Sequence, residues 1–361
     1  MTVKKSKRLR ETFLSPRFLI SVVTAAVLVL IIYLSRHELL KAWGLLGRAD
    51  MWLLLLLLPI QIAVYYVGGE MIFCYLRDKK LIQHVSHFEQ ARIALELNLV
   101  NHLFPSGGVS GISYTSWRMH KLGVSTSRST FAQLIRYITG FMATVVLLII
   151  SVCVLALDGK VNRFIVVASF LLVLLVVVMS GLAVFVFSSQ RRMHKVARRL
   201  TRGLNRLMYW LTLGRRRHWL NIKNVERFFA DMHTDFQQLS KDRRLIVKPF
   251  LWGLVYTTLD VLMFVVAFWA LGVSVNPAAL VVGYGIATFA GVVAVTPGGA
   301  GFYETIMIAF LGVSGMPGDV AIAGVVLTRA ILLTGTILCG YLFYQHALIK
   351  YGKPHEPKIQ R

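Results

Sequence analysis

Charged side chains inside apolar segments are the first residues of this sequence that could do chemistry. They are Glu70, Glu96, Arg136, Asp260, Glu304 and Arg329. Each would cost about 2.5–3.5 kcal/mol at the centre of a membrane helix, so we expect them to face protein or water and to be paired. We expect Glu70 and Asp260 near the membrane interfaces, and Glu96 and Asn98 on the aqueous side of a broken helix.

The two arginines, Arg136 and Arg329, have the chemistry to bind a phosphate, because a guanidinium group donates several charge-assisted hydrogen bonds in a fixed geometry. Glu304 lies in the second break and Arg329 in the apolar segment that follows, so the two could meet across a hairpin. There Glu304 would act as an exchangeable counter-charge or a proton carrier. An ion pair that only holds a hairpin to a helix explains the same residues equally well, so both interpretations stay open.

Two proline- and glycine-rich breaks interrupt the apolar sequence: "NHLFPSGGVSG" at 101–111 and "AVTPGGAGFYE" at 294–304. Non-helical backbone at membrane depth is tolerated only where it is packed in protein or lines a wet cavity. Helix N-termini at such breaks bind anions, and glycine lets a head group approach the backbone. Tight helix packing is the alternative use of the glycines. The candidate lipid-binding residues at the breaks are Asn101, which should cap or brace the first, with Pro105, Gly107, Gly108, Gly111, Pro297, Gly298, Gly299, Gly301 and Glu304.

The elements that must position these residues are membrane helices. Hydrophobic residues make up 56% of the chain and charged residues 16%, a balance that is rare in soluble domains. About 20 apolar residues cross a bilayer core. The predicted spans are 17–35, 51–76, 131–157, 162–188, 247–272 and 318–347. The sequence therefore predicts an all-α polytopic membrane protein with about six full transmembrane helices plus two broken, re-entrant helical hairpins.

The net charge of +24 orients the chain, because Lys and Arg collect in cytoplasmic loops. The segments that we expect in the cytoplasm are the N-terminus 1–16, the loops 77–87, 118–130 and 189–246, and the tail 348–361. The transmembrane domain is then 17–347. This sidedness requires the hairpin 88–122 to enter and leave on the cytoplasmic face, and the hairpin 278–316 to do so on the outer face.

An internal repeat is indicated by three features that occur twice in the same order. The first break is followed by "KLGVS" at 121–125 and then by the apolar segment with Arg136. The second is followed by "FLGVS" at 310–314 and then by the segment with Arg329. Opposite sidedness makes this an inverted repeat, an arrangement in which transporters place discontinuous helices at the repeat interface.

The basic loop 189–246 alternates arginines with large apolar residues, as in "VARRLTRGLNRLMYWLTLG". That pattern is typical of an amphipathic helix on an anionic cytoplasmic leaflet. A nucleic acid would be attracted by the same charge, but the neighbouring spans tie the loop to the bilayer surface. We therefore expect contact with anionic lipid and no nucleic-acid partner.

Patterns for catalysis or metal binding do not stand out. The histidines and cysteines considered are His84, His87 and His102, interpreted as interfacial or cap residues, and Cys74, Cys153 and Cys339, which lack paired spacing. No nucleophile–base set or phosphate-binding loop accompanies them. We expect no metal, no cofactor and no catalytic residue, which favours transport over covalent chemistry.

The two breaks together, each followed by LGVS and an arginine-bearing helix, resemble the transmembrane region of the lysyl-phosphatidylglycerol synthase/flippase family. The resemblance covers about residues 20–345. It implies a domain that moves phospholipids between leaflets, with two re-entrant hairpins and a lipid-sized cavity. In larger members of that family a soluble C-terminal domain transfers an amino acid from aminoacyl-tRNA to phosphatidylglycerol. About a dozen residues follow the last span here, so we do not expect synthase activity.

These observations predict a stand-alone lipid translocator that moves an anionic phospholipid, or another phosphorylated lipid, between leaflets of a bacterial-type plasma membrane. Both termini are expected in the cytoplasm. The alternative is a non-transporting accessory subunit, or an enzyme, of membrane lipid or glycolipid synthesis that binds a lipid phosphate. Expected partners are the anionic lipid, the cytoplasmic leaflet, and either a second copy of the chain or a separate lipid-modifying transferase.

Overall fold

The structure is a computed structural model and describes residues 47, 49–104, 108–157, 163–211, 220–293 and 296–352. Every regular element within these ranges is helical, and they contain no strand. Five helices are long and apolar enough to cross a membrane, which confirms the predicted all-α polytopic membrane protein. The predicted span 17–35, the N-terminus 1–16 and most of the tail 348–361 lie outside the described residues.

Eleven α-helices and one 3₁₀ turn make up the described part of the chain. In order they are α1 (Met51–Asp78), α2 (His87–Leu103), α3 (Val109–His120), α4 (Thr126–Leu157), α5 (Arg163–Phe187), α6 (Gln190–Leu211), α7 (Ile222–Lys241), α8 (Arg244–Ala270), α9 (Pro277–Val293), the 3₁₀ turn Pro297–Gly299, α10 (Phe302–Val313) and α11 (Gly318–Tyr351). The spanning helices are α1, α4, α5, α8 and α11. Helix α4 begins at Thr126, five residues before the predicted apolar segment 131–157. Its first residues are polar, so the search for apolar segments excluded them although they are helical.

Two pairs of shorter helices flank the breaks. Helices α2 and α3 have 17 and 12 residues, and α9 and α10 also have 17 and 12. At 1.5 Å per residue a 12-residue helix is about 18 Å long, too short for a hydrocarbon core of about 30 Å. The members of each pair pack against each other. The two predicted helical hairpins are therefore present, while their depth and opposite sidedness stay predictions.

The hairpins are held by a scaffold of long helices. Helix α1 packs along α8, α8 also packs on α4, and α2 packs on α11. The second hairpin buries Tyr303 and Met307 of α10 against Phe264 of α8 and Tyr284 of α9. Burying aromatic and methionine side chains in this way fixes the hairpin by the same van der Waals contacts that hold membrane helices together generally. The 3₁₀ turn of the second break lies against α2, which brings the two breaks together.

A buried ionic cluster fixes the base of the first hairpin. Glu96 is fully buried and accepts hydrogen bonds from Arg92 at 3.0 Å, from Arg118 at 3.0 Å and from the Tyr114 hydroxyl at 2.8 Å. The Arg118 guanidinium also lies over the ring of Tyr351, 4.2 Å from its centroid, at the end of α11. The prediction that Glu96 faces water is therefore wrong. Arginines from its own helix and from α3 compensate its charge inside the protein.

Helices α6 and α7 form the predicted amphipathic region. Helix α6 contains seven Lys or Arg residues and no acidic residue, and it buries Met193, Ala197 and Thr201 at a spacing of four residues. Helix α7 packs on α6, with an ion pair of 2.6 Å between Arg198 Nε and Glu226 Oε1. Amphipathic helices in loop 189–246 are thus confirmed, and their contact with a lipid leaflet stays a prediction.

Candidate functional site

A cavity of about 260 Å³ lies between the two breaks. Six of the predicted site residues line it: Asn101, Gly108, Arg136, Gly298, Gly299 and Arg329. Pro105 and Gly107 lie outside the described residues, as does the side chain of Pro297. The remaining predicted residues, Gly111, Glu304 and Gly301, are placed immediately behind the cavity wall, as their contacts below show.

At the second break, Glu304 and Arg329 meet as predicted. Arg329 Nε lies 2.6 Å from Glu304 Oε1, and Arg329 Nη2 donates to the Gly298 carbonyl at 3.0 Å. The guanidinium also lies over the Tyr303 ring, 4.6 Å from its centroid. These three contacts tie the following span, α11, to the turn of the break. Arg329 is therefore largely engaged by the protein itself.

The start of α10 is also engaged. The second carboxylate oxygen of Glu304 accepts a hydrogen bond of 2.7 Å from the Gly301 backbone N–H. A carboxylate at this position offsets the positive end of the helix dipole. The expectation that both breaks expose free helix N-termini is therefore wrong for Gly301 at the second break. At the first break α3 has no acidic residue in its first turn and no side-chain cap.

Arg136 of α4 differs from Arg329 in having an unpaired nitrogen. Its Nη1 is buried and has no hydrogen-bond partner among the described residues. The ion pairs found in the described ranges do not include it. The expectation that every intramembrane charge is paired is thus wrong for Arg136. Its Nη2 lies 3.7 Å from the position of a Cβ atom at Gly68, and the carboxylate of Asp260 lines the same cavity without forming an ion pair with Arg136.

Three further polar atoms on the cavity residues are buried without a hydrogen-bond partner among the described residues: Asn101 Oδ1, Thr288 Oγ1 and Thr296 Oγ1. Asn101 comes from the first break, Thr296 from the second break and Thr288 from α9. A buried polar atom left without a hydrogen bond costs about 1–3 kcal/mol. Several such atoms around one cavity are typical of a site that hydrogen-bonds a ligand or water.

Asp260 is placed differently from the prediction. We expected it near a membrane interface, but it lines the cavity and its Oδ2 accepts a hydrogen bond of 2.7 Å from the Tyr284 hydroxyl. It is the seventeenth of 27 residues in α8, so it lies well inside the helix and faces the bundle. A hydroxyl from α9 supplies the hydrogen bond that water would supply at an interface.

His102 is a cavity residue that the sequence reasoning missed. It lines the cavity, its Nδ1 lies 2.8 Å from the Asn98 carbonyl, and its ring packs beside Gly298 of the second break. A signal was present in the sequence. Asn98, Asn101 and His102 are spaced as i, i+3 and i+4, which places three polar side chains on one face of an otherwise apolar helix.

The glycines act by two different physical means. At Gly111 the need is space, because a Cβ atom there would lie 2.1 Å from Asn101 Oδ1. Asn101 thus packs against Gly111 at the start of α3, and its role as a cap or brace of the first break stays a prediction. At Gly301 the need is conformation, since nothing lies within 4 Å of a Cβ but φ is +82°. Tight packing thus accounts for Gly111, and the head-group role proposed for the glycines stays a prediction.

Comparison with known proteins places this architecture in a family. Residues 18–340 match the family described as the lysylphosphatidylglycerol synthase TM region. The chain belongs to this family. It is also 28% identical over 185 residues to a UPF0104 membrane protein of Methanothermobacter thermautotrophicus. That match covers 50% of this chain and 51% of the relative, so the chain spans about half the length of the relative it matches.

Proposed function

We propose that the protein is a lipid translocator that moves an anionic phospholipid, or another phosphorylated lipid, between the leaflets of a plasma membrane. The observation that supports this most directly is the cavity between the two breaks, where the guanidinium of Arg136 has a buried nitrogen with no hydrogen-bond partner among the residues that the structure describes. Such a group stabilises a phosphate through charge-assisted hydrogen bonds. Membership of the family of membrane regions described above supports the same class of substrate.

Transport also needs a path for a charged group through the bilayer. The two breaks meet in the interior of the bundle, where the irregular backbone lines a cavity and avoids lipid. Hydrogen-bonding groups from both hairpins surround that cavity. A head group held there exchanges water for protein partners, which lowers the cost of moving it between leaflets.

The basic surface of α6 supports a defined orientation. Its seven cationic residues match the anionic lipids that are enriched on the cytoplasmic leaflet. We therefore place α6 and α7, and both termini, on the cytoplasmic side, with α6 lying against anionic lipid. In this proposal the protein binds and moves lipid and catalyses no covalent step.

The experiment is a flipping assay in proteoliposomes of phosphatidylcholine. One set carries a trace of fluorescent phosphatidylglycerol and a second set carries fluorescent phosphatidylcholine, and a membrane-impermeant reductant quenches the outer leaflet. We expect quenching of phosphatidylglycerol beyond the half seen in protein-free liposomes. The variant Arg136→Gln should abolish most of this excess, whereas Arg163→Gln, which removes an exposed charge at the start of α5, should not.

Two outcomes would contradict the proposal. Equal quenching by the wild type and by protein-free liposomes, with phosphatidylglycerol still bound, would identify a lipid-binding accessory protein. Equal transport by wild type and Arg136→Gln would mean that the cavity guanidinium has no role in transport.

A further inference from the structure

A second cavity adjoins the one between the breaks. It has a volume of about 140 Å³, and it shares five residues with the larger cavity: Arg136, Tyr137, Tyr256, Tyr284 and Thr288. Away from these shared residues its wall contains Met71 of α1 and Phe141 of α4, together with Gly140, Thr144 and Thr257. Arg136 therefore stands on the shared wall, between the larger cavity and the part of the smaller cavity that contains Met71 and Phe141.

The hydroxyl groups on the residues that line only the smaller cavity are satisfied within the protein. Thr144 Oγ1 donates to the Gly140 carbonyl at 3.0 Å, and it lies 3.5 Å from Thr257 Oγ1. These two threonines therefore do not require a polar ligand. Together with Met71 and Phe141 they form a wall suited to hydrocarbon.

Arg329 does not compete with Arg136 for a phosphate. Its guanidinium is held by the Glu304 carboxylate, the Gly298 carbonyl and the Tyr303 ring. The charge of the Glu304–Arg329 pair is balanced within the second break. Arg136 forms no ion pair in the described part of the chain, and the carboxylate on the cavity wall, Asp260, is hydrogen-bonded to Tyr284.

We propose that the two cavities bind the two ends of one amphiphile, with its phosphate at Arg136. Its polar head group lies in the larger cavity between the breaks, and the first methylene groups of a hydrocarbon chain lie in the smaller cavity beside Met71, Gly140 and Phe141. This orientation rests on the proposed function, because it assumes a phosphorylated lipid as the ligand. It assigns phosphate binding to the first repeat unit and leaves Arg329 a structural role.

Gly140 offers a specific way to test the chain-binding half. A Cβ atom at Gly140 would lie 3.4 Å from Met71 Cε, so a leucine there extends into the smaller cavity. Gly181 of α5 is the matched control, because nothing lies within 4 Å of a Cβ at that position. Both are helical glycines without a positive φ, so leucine adds the same side chain to each.

The test measures the dissociation constants of two ligands for the purified protein in a non-ionic detergent. Dioctanoyl phosphatidic acid has both a phosphate and chains, whereas dioctanoylglycerol has the same chains without phosphate. Wild-type protein should bind the phosphatidic acid at least about tenfold more tightly, as expected for hydrogen bonds between charged groups. Arg136→Gln should remove that preference, and Gly140→Leu should weaken both ligands. Gly181→Leu and Arg163→Gln should bind both ligands as the wild type does.

A chain-labelled probe keeps the test independent of whether the variants fold. Phosphatidic acid with a photoreactive diazirine on its chain, near the glycerol, should crosslink to α1 or α4 peptides that contain Met71 or Phe141. Crosslinks confined to other helices, or an undiminished phosphate preference in folded Arg136→Gln, would overturn the assignment. Failure of flipping in liposomes with this binding pattern intact would instead refute the proposed transport and leave the assignment standing.

Discussion

Two halves of the described chain have helices of nearly the same lengths in the same order, but the arginines near their breaks differ in whether they are paired with a carboxylate. Helices α1, α2, α3 and α4 have 28, 17, 12 and 32 residues, and α8, α9, α10 and α11 have 27, 17, 12 and 34. Arg136 is the eleventh residue of α4 and Arg329 the twelfth of α11. Yet Arg329 is paired with a carboxylate, whereas Arg136 pairs with none in the described ranges.

One position accounts for much of this difference. The third residue after the capping glycine is Glu304 in the second hairpin and Gly111 in the first. Glu304 caps its helix and neutralises Arg329. At Gly111 the corresponding space is occupied by the neutral amide of Asn101. At this position Glu304 thus pairs with Arg329 in the second hairpin, whereas the first hairpin has glycine there.

The largest expected effect tests the second hairpin, where Glu304 and Arg329 are paired. Glu304→Gln leaves the charge of Arg329 unpaired in the protein interior, so we expect the free energy of unfolding to fall by about 3–5 kcal/mol. The double variant Glu304→Gln/Arg329→Met should regain most of that loss. Thermal unfolding in detergent measures both. Arg136→Met is the matched control beside the first hairpin and should leave stability unchanged, since it breaks no ion pair. An equal loss in Arg136→Met would remove the electrostatic distinction between the breaks.

The next effect tests which arginine serves transport. Arg136→Gln should slow flipping of fluorescent phosphatidylglycerol at least about tenfold, because the phosphate loses charge-assisted hydrogen bonds. The double variant Glu304→Gln/Arg329→Met should keep transport within about twofold of the wild type, a change of less than 1 kcal/mol. Flipping rates in proteoliposomes, normalised to inserted protein, decide between them. Loss of transport in the stable double variant would assign phosphate binding to the second break after all.

A smaller effect separates space from conformation at the glycines. Gly301→Ala should destabilise by about 1–3 kcal/mol, because alanine is strained at a φ of +82°. Gly111→Ala should instead displace the Asn101 side chain and lower transport more than stability. Gly312→Ala is the control, since this position has open space and no positive φ. Unfolding temperatures and flipping rates of the three variants give the comparison, and a fall in stability at Gly312 equal to that at Gly301 would contradict it.

The smallest perturbation tests whether the two hairpins open to opposite faces of the membrane. Single cysteines at Lys121 and Gly318 are introduced after Cys74, Cys153 and Cys339 are replaced by serine or alanine. Exposed surface substitutions of this kind change stability by about 0.5 kcal/mol or less. An impermeant maleimide on intact cells should label the cysteine at 318 and label that at 121 only after lysis. Labelling of both from the same side would contradict the inverted repeat.

The sequence was sufficient for the helices and for one of the two arginine environments. Apolar length alone predicts the five described spans to within a few residues, because a bilayer sets the length of a helix. The Glu304–Arg329 contact was also predictable, since a hairpin brings a helix start next to the following span. The orientation of a side chain around its helix axis was not predictable from the sequence. A shift of one residue turns a side chain by about 100°, so Glu96 was placed on the wrong face. Asp260 was expected near a membrane interface and instead lines the cavity.

Arg136 shows a second reason for failure. Its apolar segment and its counterpart Arg329 both suggested a paired charge, and membrane energetics favour pairing. Whether a partner exists depends on the residue opposite, which the sequence of one segment does not specify. The sequence shows glycine at 111 and glutamate at 304. That these are equivalent positions, each third after a capping glycine, is clear only when the starts of α3 and α10 are compared.

The ionic cluster at the base of the first hairpin has a mechanical consequence. Through Arg118 and Tyr351 it fastens α3 to the last turn of α11, while Arg329 fastens the same helix to the second break. Tyr351 follows Arg329 by 22 residues, which correspond to about 33 Å of continuous helix. Helix α11 therefore links the second break, at Arg329, to the base of the first hairpin, at its C-terminal turn, and we expect a tilt at one attachment to move the other.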